Sequence, residues 1–298
     1  MRTTTTDILL ANMGLLPTLL LIRKHCHRAI MRMATLPGNH PLTTQIRSAR
    51  RNQKRHKSPL HQLFNNFNIN PNAMGTIQPI RNPPQWSPRV TIDMADDAIY
   101  AALQDIRAEN EDDVCLYSDR SGFKGKIGAA ILRRGGETKR SLKFHLGTEK
   151  DHTVFEGEEV GMILAAELLQ GEQRTRKVSL GIDNKAAIAA ARSHKAKSGH
   201  YLMDHFHHTL IAALQTIEVN KIIIQWTPGH LGILGNEEAN AEAKETARGT
   251  TSAPHLLPKV LRMRDRITRT LPMSKTARKR VFNASTKALH IQIFQTSP

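Results

Sequence analysis

The order of strand-like and helix-like segments between residues 113 and 244 is the feature that most constrains the fold of this chain. Two short apolar runs, DVCLYSD at 113–119 and KVSLGID at 177–183, each end in an aspartate, as expected of strands buried on both faces. With the segments around them they predict the order β-β-β-α-β-α-α-β-α. This order indicates an α/β fold with a mixed five-stranded sheet flanked by helices.

Local signals support two of these elements. Gly135 and Gly136 separate two runs of strand character and predict a hairpin closed by a two-residue turn. Thr153 and Glu156 have the spacing of a capping box, which predicts a helix that continues to residue 170.

Charge is divided unevenly along the chain, whose formal net charge is +17. Residues 1–90 hold 13 Lys and Arg and one acid, residues 250–298 hold ten and one, and residues 91–249 hold 20 and 24. Basic flanks of this density predict binding to a polyanion such as nucleic acid, because each neutralised phosphate releases counterions. A solvated basic tail without a specific ligand is the alternative.

The apolar run at residues 8–22 is too short to cross a bilayer, and it contains Asn12 and Pro17. We therefore expect no membrane partner and interpret the run as a helix, within a mostly helical basic N-terminal extension, that packs on protein. The sequence HCH at 25–27 has no second ligand pair at zinc spacing, so a metal site there is not favoured.

The two cysteines, Cys26 and Cys115, lie far apart, which predicts a reduced intracellular protein without deciding between nucleus and cytoplasm. The proline-rich stretch at 82–88 predicts a linker. The predicted organisation is a basic helical region at 1–81, a linker and short helix at 82–111, an α/β domain at 112–249 and a basic tail at 250–298.

Three acids fall where this fold would bring them together. Asp119 and Asp183 end two strands, and Glu158 shares a helical face with apolar residues that point toward the sheet. Carboxylates gathered in this way repel one another unless cations neutralise them, and an all-oxygen ligand set suits Mg²⁺. Two such ions would activate water for phosphodiester hydrolysis. Each acid taken singly is also compatible with a solvated surface position.

Four motifs in order, YSDRSG, FEGEEVGMILAAELL, GIDNKAAI and WTPGHLGILGNEEANAEAK, resemble the type 1 ribonuclease H family. The resemblance covers residues 112–248. More narrowly, the chain resembles the ribonuclease H domain of reverse-transcriptase polyproteins from retrotransposons without long terminal repeats. Upstream, ATLPGNHPL and KRHKSPL are similar to the connecting region that follows the polymerase in such polyproteins.

This resemblance implies a ribonuclease H-like fold and cleavage of RNA paired with DNA, with two Mg²⁺ ions, or Mn²⁺ in their place, and a polymerase domain as a partner in the parent polyprotein. The implied metal ligands are Asp119, Glu158, Asp183 and Asn240. His230 matches a loop histidine that assists proton transfer or product release. Glycines 229, 232 and 235 would give that loop its freedom, and Asn236 would cap the last helix.

Two departures put full activity in question. Arg120 replaces a glycine, and Asn240 replaces the fourth acid, so that one ion should bind more weakly unless Glu237 compensates. A degenerate domain that only binds nucleic acid, and a fold kept for assembly, are the alternatives. Ser121, Asn184 and Ser193 are the predicted contacts to the hybrid.

Overall fold

The computed structural model describes residues 9–10, 13, 15–49, 58–84, 88–121, 126–172, 175–246, 250–262 and 272–295. The chain forms two compact units. The first consists of residues 1–78 with 272–298, and the second of residues 79–271.

The second unit contains a six-stranded sheet, five α-helices and a 3₁₀ turn (Pro254–Leu256) among the described residues. In chain order its elements are β1 (Val90–Asp93), α4 (Ala98–Glu111), β2 (Val114–Ser121), β3 (Lys126–Arg134), β4 (Glu137–Gly147), α5 (Val154–Gln170), β5 (Lys177–Ile182), α6 (Lys185–Arg192), α7 (His200–Thr216), β6 (Lys221–Trp226) and α8 (Leu234–Thr246).

The sheet has the order β1-β6-β5-β2-β3-β4. β1, β6, β5 and β2 run parallel, whereas β2-β3 and β3-β4 are antiparallel. The predicted α/β class, with a mixed sheet flanked by helices, is confirmed. The sheet has six strands where the sequence predicts five, because residues 90–93 lie just after the prolines but pair with β6.

The two faces of the sheet receive different helices, as the alternation of β2 shows. Val114 and Leu116 belong to the large apolar core formed with α5, α6 and α7. Cys115 and Tyr117 point to the opposite face and pack in a smaller cluster with residues of α4 and α8. The strand is therefore buried on both sides, as its apolar run predicts.

Helix α5 lies unusually close to the sheet because glycines meet at the contact. A Cβ atom on Gly128 of β3 would lie 2.6 Å from the backbone nitrogen of Gly161 and 2.7 Å from the backbone oxygen of Gly157. Gly161 in turn lies against the backbone oxygens of Ala129 and Asp119, at 3.1 and 3.3 Å from its own Cβ position. The capping box of Thr153 and Glu156 begins this helix as predicted.

The hairpin and the last helix follow the sequence signals to different degrees. Gly135 and Gly136 have φ angles of +60° and +77°, which fit the predicted two-residue turn between β3 and β4. Asn236 is not the cap of α8, because the helix begins at Leu234 and includes Gly235 in its first turn. At Gly235 a side chain would overlap the ring of Tyr117, so this glycine serves packing and not loop mobility.

The first unit is helical among its described residues, in keeping with the predicted helical extension. It contains α1 (Thr18–Ala34), α2 (Thr43–Ser48), α3 (Pro59–Asn66), a 3₁₀ turn (Pro71–Ala73) and α9 (Lys275–Gln295). Its apolar core consists of Ile30, Met31, Ala34, Ile46, Ala49, Phe64, Ile69 and Met74. A bridge between Met74 and Met273 and the stacking of His27 on Phe282 attach the C-terminal segment to the N-terminal one.

This arrangement differs from the predicted organisation at both ends. The region at 82–111 contains the short helix predicted there, α4, and also the strand β1. The predicted tail is divided, because Leu257 and Leu261 enter the large core of the second unit while α9 belongs to the first. The apolar run at 8–22 also packs less than expected. Leu9 and Leu10 are helical, helix α1 begins at Thr18 after Pro17, and Leu19 is 76 % exposed. None of the described helices is long and apolar enough to span a bilayer.

The close contact of α5 with β3 predicts a clear cost for a single methyl group. We expect Gly128→Ala to lower the free energy of unfolding by about 1–3 kcal/mol, because the helix backbone must move away to admit the Cβ. Gly157→Ala, whose nearest new contact would be 3.1 Å, should cost less. Urea unfolding monitored by circular dichroism measures both, and equal stability of Gly128→Ala and the parent chain would contradict the described contact.

Candidate active site

Asp119 and Asp183 lie at the carboxyl ends of two adjacent parallel strands. The last residues that pair β2 with β5 are Ser118 and Ile182, and each aspartate is the next residue along the chain, although β2 itself continues to Ser121 beside β3. Their side chains therefore leave the ladder side by side, at the edge of the sheet where open α/β folds place their sites.

Glu158 reaches the same place from α5. It follows Gly157, whose Cβ position lies 3.1 Å from the backbone oxygen of Ile127, so the helix backbone itself rests on β3. Carboxylate oxygens of Asp119, Glu158 and Asp183 all lie within 4.8 Å of one another. The structure thus brings together the three acids that the sequence singles out, and their role as metal ligands stays a prediction.

Arg120 and Asn184 contact the buried Glu158. The Nε of Arg120 donates to Oε1 of Glu158 at 2.7 Å, and Nδ2 of Asn184 donates to the same oxygen at 3.3 Å. The other oxygen, Oε2, has no hydrogen-bond partner among the described residues, and Oδ1 of Asp183 has none either. Asn184 also caps α6 through its Oδ1, so it positions the carboxylate cluster and the helix together.

Burial raises the pKa values of all three carboxyls, and repulsion by Asp183 raises those of Asp119 and Glu158 further. Burial is the largest cause for Asp119, whose pKa rises to about 7, and the charge of Asp183 is the second. The same two causes raise the pKa of Glu158 to about 8, against the opposing hydrogen bond and charge of Arg120. Burial also raises the pKa of Asp183, while the charges of Arg120 and His230 lower it. The cluster is therefore short of positive charge.

The loop after β6 carries His230 to the edge of this cluster. Its φ angle is +64°, a conformation that few residues other than glycine adopt, and its side chain is exposed. A Cβ on the preceding Gly229 would lie 3.8 Å from Oδ2 of Asp183. His230 is thus close enough for its charge to act on Asp183, and its role in proton transfer stays a prediction.

Helix α8, which packs on the opposite face of the sheet, brings the charge of Lys244 near the site. Asn240 is half-buried, and Lys244, one turn later, lowers the pKa of Asp119 through its charge. Glu237 is not among the described acids whose oxygens could share an ion with the cluster, so the geometry gives no support for compensation by this residue.

A buried hydrogen-bond network behind the site has no counterpart in the sequence prediction. Asp105 of α4 accepts hydrogen bonds from Oη of Tyr117 at 2.8 Å, Oγ1 of Thr227 at 2.9 Å and Nε2 of Gln225 at 3.2 Å. It thereby ties α4 to the end of β6, from which the His230 loop departs. Burial raises the pKa of Asp105 despite these three donors. Nothing in the local sequence distinguishes this acid from the exposed ones around it.

The other two predicted substrate contacts, Ser121 and Ser193, lie at the ends of β2 and α6. The backbone of Ser121 pairs with Ile127 at the end of β2, but its side chain lies outside the described residues. Ser193 ends α6, whose eight residues span about 12 Å from the Asn184 end. The structure therefore does not bring Ser193 to the carboxylate cluster.

The donor set fits a hard divalent cation. It consists of oxygens only, Glu158 is fully buried, and two carboxylate oxygens lack any other described partner. An isolated ionised carboxylate in such a place is strongly unfavourable unless a cation or a proton neutralises it. Asp119, Glu158 and Asp183 are the residues that would hold Mg²⁺ or Mn²⁺.

Comparison with known proteins gives similarity at the level of structure only. No protein-family model and no curated protein matches the chain. A crystal structure of RNase H1 from the halophilic archaeon Halobacterium salinarum NRC-1 aligns with 46 % of this chain and 98 % of its own, at 17 % identity and a TM-score of 0.36. The N-terminal RNase H domain of rv2228c from Mycobacterium tuberculosis, fused to maltose binding protein, aligns with 47 % and 98 %, at 15 % identity and 0.35.

The raised pKa values predict a particular pH dependence of stability. A carboxyl whose pKa is higher in the folded state favours folding below its unfolded pKa, near 4, and loses that contribution as the pH rises through the folded value. Between pH 4 and 8 the metal-free protein should therefore lose stability as Asp119 and Glu158 ionise. Glu158→Gln should flatten this loss, and Mg²⁺ should raise the melting temperature more at pH 8 than at pH 5.

Calorimetric or fluorescence melts of the two proteins in EDTA and in Mg²⁺ measure this difference. The difference between the proteins isolates the cluster from the titration of the remaining charges. Parallel pH profiles for the two proteins, with no Mg²⁺ effect at pH 8, would contradict the described electrostatics.

Proposed function

We propose that the second unit is a divalent-cation-dependent endonuclease that hydrolyses the RNA strand of RNA/DNA hybrids. The convergence of Asp119, Glu158 and Asp183 within 4.8 Å, with buried oxygens that lack partners, is the observation that carries this proposal. The resemblance of the four sequence motifs to type 1 ribonuclease H supplies the substrate class. The same resemblance assigns the chain to a retroelement polyprotein, whose polymerase domain is the proposed partner.

In this proposal a divalent cation, when bound, polarises the scissile phosphate and makes water a better nucleophile. The residues of the chain perform the other tasks. Asp119 and Asp183 present their carboxylates at the rim of the sheet, and Glu158 fixes the deep side of the site. His230, on its exposed loop, takes or returns a proton as the strand is cut. Asn240 offers an amide oxygen without charge, so the site holds its cations less firmly than four acids would.

A domain that binds hybrids without cutting them is the second candidate, and one contact favours it. Arg120 donates to Oε1 of Glu158 and lowers the pKa of this acid through its charge. In the proposed enzyme this guanidinium must turn away before Glu158 can serve a cation. Because the side chain of Arg120 is 35 % exposed, it has space to turn toward solvent or toward a phosphate.

Cleavage of a labelled RNA/DNA hybrid by the purified full chain tests the proposal. We expect products in Mg²⁺ or Mn²⁺, none in EDTA, and a rate lower by about a hundredfold or more for Asp183→Asn, since an aspartate of the cluster is lost. Asp96→Asn, which changes an exposed aspartate in the same unit, is the matched control and should leave the rate unchanged. Retention of the hybrid without cleavage under all conditions would favour the second candidate.

The contact between Arg120 and Glu158 leads to a further prediction about metal affinity. We expect Arg120→Gly to bind Mn²⁺ about tenfold more tightly or better, because a unit charge about 4 Å away opposes a cation by about 1–4 kcal/mol in wet surroundings. Asn240→Asp should also strengthen binding by adding a negative charge. Electron paramagnetic resonance of free Mn²⁺ measures both affinities without reference to activity. No change in the Arg120 variant would show that its side chain leaves the site at no cost.

A further inference from the structure

A cavity of about 310 Å³ in the first unit is lined by basic side chains from both ends of the sequence. Helix α1 contributes His27, Arg28, Met31 and Arg32, and α9 contributes Lys275 and Lys279. Its volume reaches the range of small-molecule sites. Four of its six lining residues are Arg or Lys.

The first unit has almost no negative charge with which to balance these cations. Residues 1–78 and 272–298 contain 16 Lys and Arg and a single acid, Asp7, which lies outside the described residues. Among the residues of this unit that the structure describes there is no Asp or Glu. The second unit, in contrast, contains 27 basic and 25 acidic residues.

The cations of the cavity therefore repel one another without a described carboxylate between them. Lys275 is half-buried and donates to Oγ1 of Thr35 at 3.3 Å, a neutral acceptor. Burial lowers its pKa, and the charges of Arg32 and Lys279 lower it further. Lys275 is also the first residue of α9, where the helix dipole disfavours a cation. An anion in the cavity would offset all three penalties.

The distribution of charge around the cavity favours a polymer of phosphates over one small anion. Burial is the main cause that lowers the pKa of His27 to about 4, and Arg278 and Arg23 lie close enough for their charges to lower it further. His27 itself is buried and stacked on Phe282 at 3.8 Å, so it forms the wall of the cavity and is not a free ligand. Cationic side chains thus continue on α1 and α9 beyond the cavity.

We propose that this basic cavity binds a backbone phosphate of a nucleic acid and that the cations beside it follow the neighbouring phosphates. An Arg guanidinium can donate two parallel hydrogen bonds to phosphate oxygens, and Lys275 supplies a positive charge at the inner side of the cavity. This site belongs to the first unit, whereas the carboxylate cluster belongs to the second. The chain would therefore bind nucleic acid here whether or not that cluster cleaves a strand.

The test compares two double variants of the full chain that remove the same charge from the same unit. Arg32→Gln with Lys279→Gln alters the cavity. Arg47→Gln with Lys287→Gln is the control, because it also takes one Arg from the last turn of a helix and one exposed Lys from α9. Fluorescence anisotropy of a labelled DNA duplex in EDTA, over a range of salt concentrations, gives the affinity and its salt dependence without cleavage. Melting temperatures check that both variants are folded.

We expect the cavity variant to lose about tenfold or more in affinity and to lower the slope of log K against log salt by about two, since roughly 0.9 belongs to each phosphate contact. The control should change the slope by less than half as much. Equal losses in the two variants would show diffuse attraction and overturn the proposal. It would also be overturned if the cavity variant lost binding to inorganic phosphate, or to vesicles of phosphatidylserine and phosphatidylcholine, while its binding to the duplex stayed intact.

Discussion

The close approach of α5 to β2 and β3 is the constraint on which the rest of the second unit depends. Gly128, Gly157 and Gly161 let a helix backbone rest on strand backbone, where any side chain would hold the two apart. Glu158 follows directly on one of these glycines, so the contact that closes the core also fixes the depth of the only acid in the cluster that comes from a helix. Packing and the candidate chemistry therefore share one set of atoms. A small displacement of this helix would therefore open the core and, at the same time, move Glu158 away from Asp119.

The two units differ in how their charged residues are distributed. The second is nearly balanced in charge and contains a cluster of three acids, where burial raises the pKa of each carboxyl and repulsion adds to this for Asp119 and Glu158. The first has a large excess of positive charge and no described carboxylate. The buried acids of the second unit favour small hard cations, and the basic side chains of the first unit favour a polyanion. A nucleic acid with its divalent counterions would satisfy both, which is why the proposed function and the proposed phosphate site are compatible although each is tested alone.

Much of the second unit could be predicted from the sequence, because its signals are local. The apolar runs before Asp119 and Asp183 predict parallel strand ends, and the capping box at Thr153 gives the start of α5. The failures have physical causes of another kind. β1 is only four residues long and follows prolines, so its pairing with β6 depends on a partner about 130 residues away. Asn236 is a residue type that often caps helices, but α8 already begins at Leu234. This earlier start is possible because Gly235 can pack against Tyr117. The contact of Arg120 with Glu158 joins β2 to α5. The two residues are 38 positions apart, so no local sequence pattern predicts their contact.

The pairing of β1 with β6 has a consequence for how the chain reaches its folded state. Val90 is aligned with Ile222, so the first strand of the unit to leave the ribosome finds its partner only after almost the whole unit has been synthesised. Contacts of such long sequence separation form late and slowly, because closing the intervening loop costs entropy before it is rewarded. Until then β6 is the outer strand, with one row of backbone donors and acceptors open to other chains. The nascent protein thus passes through a stage in which self-association competes with the completion of its own sheet.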